Sequence, residues 1–122
     1  MVNDFAAEGR ELLEGAEAAL LCLETNPDDA EAINTVFRAF HTIKGMAGFL
    51  GLDVVAAIAH KAESLLSRMR DREIRCSGRH AELALRSVDC LKTLIDEVVA
   101  PGDGGAADPQ ALLDALDHVD AE

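Results

Sequence analysis

Four residues recur at helical intervals in one short segment. His41, Lys44, Gly45 and Gly48 stand at i, i+3, i+4 and i+7, so on a helix they share one face. That face is offset from the apolar stripe of Val36, Phe37, Phe40 and Ala47, so His41 is expected to point outward, or into a shallow groove, with a cation one turn away. A glycine inside a helix costs roughly 1 kcal/mol against alanine. Beside His41, Gly45 clears room for a bulky group on the imidazole or for a partner's loop. An accessible imidazole, a nearby ammonium and open space are what a phosphohistidine needs.

A second set follows. His60 and Glu63 are also spaced i, i+3, on a stripe with Ala56 and Ser67 that is offset from Val55, Ile58, Ala62 and Leu65. If the two segments are helices packed antiparallel, Glu63 can reach His41. A carboxylate that accepts a hydrogen bond from one ring nitrogen fixes the tautomer and leaves the other nitrogen as nucleophile.

The elements that must position these residues are helical. No alternating β-branched runs or Asn-Gly and Asp-Gly turns suggest strands. The spacing predicts a first helix from about Asn3 or Asp4 to Thr25, stopped by Asn26-Pro27-Asp28. A second, capped by Asp28 or Asp29, runs to about Gly48 with Ile33, Val36, Phe37, Phe40, Ile43 and Ala47 inward. Gly48 to Gly51 reads as an apolar turn packed on the bundle end. A third helix, capped by Asp53, runs to about Arg70, and a fourth from Ser77 or Gly78 to about Val99. Residues 101–107 read as a Gly-rich link, and Asp108-Pro109 opens a short fifth helix within 108–122. The expected fold is all-α: an antiparallel four-helix bundle over residues 1–100 with a short C-terminal helix.

Composition narrows the function classes. The chain has 122 residues, enough for one domain, and 49% of them are apolar, enough for a core. A net charge of -12, from 23 acidic and 11 basic residues, argues against nucleic-acid and anionic-membrane partners. Cys22, Cys76 and Cys90 form no CxxC pair, so neither a zinc knuckle nor a disulfide framework is indicated. Cys22 and Cys90 fall in apolar helical patterns and are expected to be buried, reduced thiols. No signal peptide or membrane span is visible, and a reducing cytoplasm is the expected location. His80 and His118 have no supporting neighbours.

The run Phe37-Arg38-Ala39-Phe40-His41-Thr42-Ile43-Lys44-Gly45, then Ala47-Gly48-Phe49-Leu50-Gly51-Leu52, resembles the signature of histidine-phosphotransfer domains. It is especially similar to the N-terminal phosphotransfer domain of chemotaxis-type histidine kinases. The resemblance extends from about Asp4 to Val99 and takes in the Asn26-Pro27-Asp28-Asp29 turn and the His60-Lys61-Ala62-Glu63 segment. It implies that His41 is phosphorylated, on Nε2, while Glu63 holds Nδ1. It further implies that Lys44 attracts the phosphoryl group, that Gly45 keeps the site open, and that His60 joins the polar network. Met46 is bulkier than the small residue expected at its position.

A carrier of this kind is a phosphoacceptor and donor rather than an enzyme. No Gly-rich phosphate loop is present, so ATP and Mg²⁺ are expected on partner domains, with no cofactor bound here. The expected partners are a histidine-kinase catalytic domain as donor, or a receiver aspartate in that place, and response-regulator receiver domains as acceptors. The Met1 start and the Gly-rich link suggest the N-terminal module of a longer kinase. Two rival readings stand beside this one. One is a metal-binding bundle using His41, His60 and Glu63, against which Lys44 places a positive charge. The other is a docking bundle without chemistry.

Overall fold

Asp29 begins the helix that carries His41. Its backbone is extended and its carboxylate accepts the Ala32 N–H at 3.2 Å, so one of the free donors at the helix start is satisfied. The computed structural model describes residues 2–100 and 108–118; the expected link at 101–107 and the chain from Val119 lie outside the described residues. The described residues form five helices: α1 (Val2–Thr25), α2 (Ala30–Leu50), α3 (Asp53–Arg70), α4 (Gly78–Val99) and α5 (Pro109–Asp117). Among the described residues there is no strand, and no helix is long and apolar enough to cross a membrane.

The first four helices form a ring in which each packs on the next and α4 returns to α1, the closest association being α2 with α3. Pairings across the α2–α3 and α1–α4 seams run antiparallel: Phe37 lies opposite Arg70 and His41 opposite Glu63, while Arg10 faces Asp96 and Glu17 faces Lys92. Leu13, Leu23, Phe40, Ile43, Ile58, Leu66, Leu91 and Ile95 are fully enclosed between the four helices. Asp108 caps α5 by accepting the Ala111 N–H, with Pro109 in the first turn. Leu112 and Leu116 are buried, so the fifth helix docks on the bundle, against α3 and α4, and Lys61 pairs with Asp117 across that contact.

The α2–α3 connection is shorter than the sequence suggests. Helix α2 continues through Gly48 to Leu50, because a single interior glycine weakens a helix without ending it. The chain turns at Gly51, whose φ of 75° lies in the left-handed region that favours glycine. The Leu52 N–H reaches the Ala47 carbonyl at 2.9 Å and the Gly51 N–H the Gly48 carbonyl at 3.3 Å, the hydrogen-bond pattern of a Schellman stop. Leu52 then serves as the N-cap of α3 with no side-chain bond. Asp53 is therefore the first helical residue and not the cap.

Other expectations are corrected as well. Phe49 does not pack on the bundle end; as part of α2's outer face it is 79% exposed. Cys22 is exposed beside Leu21, because the α1 stripe of Ala16, Leu20 and Leu23 turns both outward. Cys76 and Cys90 are buried. Burial pushes the Cys76 thiol up to about 11 and raises Cys90 as well. Phe37 is only half-buried, at the edge of the α2–α3 seam.

Candidate functional site

Of the residues expected on one face of α2, His41 and Lys44 lie together where α2 meets α3, while Gly45 and Gly48 lie on its open surface. His41 leaves 61% of its side chain exposed, and its Nδ1 meets Glu63 Oε2. Glu63 approaches from α3 with its side chain only 11% exposed, and its second oxygen, Oε1, accepts the Lys44 ammonium at 2.6 Å. One carboxylate therefore bridges the imidazole and the ammonium, and both of its oxygens are occupied. That satisfies the requirement for a charge withdrawn from water.

The electrostatics follow from this geometry. Burial pushes the Glu63 carboxyl up, but the hydrogen bonds and charges of Lys44 and His41 act against it, and the net result lies below the usual carboxylate value. Glu63 is thus ionised at neutral pH and can only accept hydrogen bonds. The proton in the contact belongs to Nδ1. In the neutral ring this leaves the lone pair on Nε2, which has no hydrogen-bond partner among the described residues.

Gly45 and Gly48 flank this group on the open side. A methyl group added to Gly45 would meet nothing within 4 Å, so no neighbouring helix requires a glycine there. The flank of α2 one turn beyond His41 is therefore open. Beyond Gly45, an apolar groove of about 410 Å³ opens between the start of α1 and the end of α2, lined by Phe5, Met46, Phe49 and Leu50 with Asp4 and Glu8 at its rim.

Two neighbours were not expected. The Phe37 ring stacks on the His41 imidazole, with centroids 6.1 Å apart and planes inclined by 10°. The Arg70 guanidinium lies over the Phe37 ring, 4.4 Å from its centroid. The i, i+4 spacing of Phe37 and His41 was a readable signal for the first contact. The second depends on the register between α2 and α3, which no spacing within one helix reveals.

His60 stands apart from the cluster. Its ring is exposed, makes no side-chain hydrogen bond among the described residues, and lines a groove of about 290 Å³ between α3 and α5 with Lys61, Ser64, Arg68 and Leu116. An offset of three residues rotates it away from α2, on which Glu63 converges. The ligand set of the metal reading therefore does not assemble: His60 is directed elsewhere, and Lys44 holds the second Glu63 oxygen. Among the described residues no three His, Cys, Asp or Glu side chains gather as metal ligands.

The site's relatives share this fold. The Hpt domain family matches residues 1–121. The sensor histidine kinase CheAY of Helicobacter pylori is 38% identical over 95 residues, which cover 78% of this chain and 12% of that protein, so the chain spans a small part of its length. The CheA phosphotransferase domain from Thermotoga maritima superposes with a TM-score of 0.77 at 36% identity, covering 81% of this chain and 94% of that one. The phosphorylated P1 domain of CheA3, solved in complex with CheY6 from R. sphaeroides, reaches a TM-score of 0.84 at 33% identity, covering 98% of this chain and 94% of that domain.

Proposed function

The chain belongs to the Hpt domain family, and from that premise we propose that His41 accepts a phosphoryl group on Nε2 and passes it to the aspartate of a response-regulator receiver domain. The donor in this reading is the catalytic domain of a chemotaxis-type histidine kinase, of which this chain forms one module. The work takes place in the cytoplasm. ATP and Mg²⁺ reside on the partner domains, and this domain binds no cofactor of its own.

One observation carries the proposal: an exposed imidazole whose inner nitrogen is bonded to a buried, ionised carboxylate. In the first step the Nε2 lone pair attacks the γ-phosphorus of ATP. The Nε2–P bond forms, the bond to the β–γ bridging oxygen breaks, and ADP departs. Nδ1 keeps its proton, so the ring becomes cationic, and Glu63 stabilises that charge where it develops. In the second step a receiver carboxylate attacks phosphorus. The Nε2–P bond breaks and its electron pair returns to the ring, restoring neutral imidazole. No proton has to enter or leave in either step.

Lys44 lies where it can draw the incoming phosphoryl oxygens toward Nε2, and Gly45 leaves them room. Partner domains supply the rest of the alignment and charge neutralisation. The test is phosphorylation by a chemotaxis-type kinase catalytic fragment with ATP and Mg²⁺. Acid-labile, base-stable label should appear on the wild type and be lost in His41→Gln. Equal labelling of the two would end the proposal.

A further inference from the structure

The hydrogen bond to Glu63 leaves one freedom of the His41 ring unrestrained. A single contact at Nδ1 fixes the position of that atom but not the plane of the imidazole, which can still swing about the contact and carry Nε2 off line. The stack on Phe37 supplies the missing restraint. Its planes are inclined by only 10°, within the offset arrangement that aromatic rings prefer. Phe37 is itself only half-buried and needs a second surface to hold it. Arg70 provides one on the side of the α2–α3 seam, its guanidinium 4.4 Å from the ring centroid. Two neighbours hold Arg70 in turn: Nη2 donates to Ser67 Oγ on α3 at 3.5 Å, and Nε lies 3.8 Å from Oδ1 of Asp71, the residue that follows the helix.

We propose that Phe37 and Arg70 are a positioning pair for His41, setting the plane of its imidazole so that Nε2 projects in line toward the phosphodonor. The inference rests on the phosphocarrier reading above. Neither residue touches the phosphoryl group; both act through the ring. The pair therefore governs how often Nε2 is correctly aimed, which belongs to the chemical step and not to partner affinity.

The test uses the full chain and two donors. Phosphoramidate needs no docking: Nε2 attacks the phosphorus of its N-protonated, zwitterionic form, the P–N bond breaks with its electron pair going to nitrogen, and ammonia leaves. The kinase fragment with ATP separates kcat from KM. Phe37→Leu should slow phosphoramidate labelling by about 3- to 10-fold, the range a stacked pair supports. It should lower kcat with the kinase by a similar factor and leave KM unchanged. Phe37→Tyr keeps the ring and should keep the rate. The His41 ring-proton resonances should move in Phe37→Leu and remain in place in Phe37→Tyr. Should Phe37→Leu fail to fold, Arg70→Met at the surface carries the test, with a slowing of about 2- to 5-fold.

Wild-type rates in both Phe37→Leu and Arg70→Met overturn the proposal, as does a change confined to KM. Slow Phe37→Leu beside fully active Arg70→Met removes Arg70 from the pair. If the wild type is labelled by neither donor, the carrier reading itself fails; if it is labelled and the variants keep pace, only the positioning pair fails.

Discussion

Glu63 meets His41 at the ring nitrogen that faces the bundle, and thereby determines which nitrogen faces solvent. Most of the chemistry proposed for this domain follows from that contact. In the proposed reaction it holds the Nδ1 proton, leaves Nε2 to attack, and places a negative charge behind the ring that is to become cationic.

Glu63→Gln should therefore slow phosphorylation more than it harms the fold. The amide can still accept from Nδ1, but a neutral acceptor is worth about 1–2 kcal/mol less than a charged one, or about 5- to 30-fold in rate. Single-turnover labelling by the kinase fragment measures the loss. Imidazole ¹⁵N spectra should show a larger share of the tautomer protonated on Nε2.

The same residue predicts a pH dependence of stability. Its folded pKa lies below the ordinary value of 4.5, so its stabilising contribution is present above that value and is lost as pH falls through the folded one. Wild type should exceed Glu63→Gln in urea resistance at pH 7, and the gap should narrow steadily below about pH 4.5. A gap that is unchanged at pH 3 would contradict this.

Gly45→Ala should separate stability from function. A methyl group there meets nothing within 4 Å, and alanine favours the helix by up to about 1 kcal/mol, so the melting temperature should rise. Phosphotransfer to a receiver should fall, because the methyl group occupies the flank of His41. A variant that is both more stable and fully active would mean that the open flank is not needed.

The two stops that bracket α3 give predictions of opposite sign. Gly51→Ala forces a side chain into a φ of 75° and should destabilise by about 1–2 kcal/mol. After α3 the same turn is built on Arg72, at a φ of 62°. Arg72→Gly should relieve that strain and stabilise by about 0.5–1 kcal/mol. Urea midpoints of the two variants decide both.

Phe49 is 79% exposed beside an apolar groove two helical turns from His41. Phe49→Ser should leave the melting temperature within about 2 to 3 °C, since exposed substitutions seldom change stability by more than about 0.5 kcal/mol. It should raise the KM of the phosphorylated domain for its receiver. An unchanged KM would place receiver docking elsewhere.

The face of His41, Lys44 and Gly45 was legible because helical spacing alone places those residues together. Glu63 was legible because a short connection between two amphipathic helices leaves little choice but antiparallel packing. Phe37 lies at the border of its stripe, where periodicity cannot separate the core from the rim, and so it is half-buried where the spacing predicts an inward residue. Arg70 depends on the register between helices, and His60 on a rotation that takes it toward α5. Phe49 stands in a segment bounded by two glycines, a pattern that predicts a turn. Only one of them, Gly51, adopts a conformation that ends a helix.

The two-residue connection at Gly51 and Leu52 has a further consequence for how the site comes into being. Every group placed around His41 lies between Phe37 and Arg70, within one helical hairpin. Its contacts span short loops, so closing them costs little chain entropy and they can form early, before α1 or α4 is in place. A centre written into one continuous stretch can also be inherited or transplanted as a single segment. The remaining helices cover the apolar faces that this hairpin leaves open.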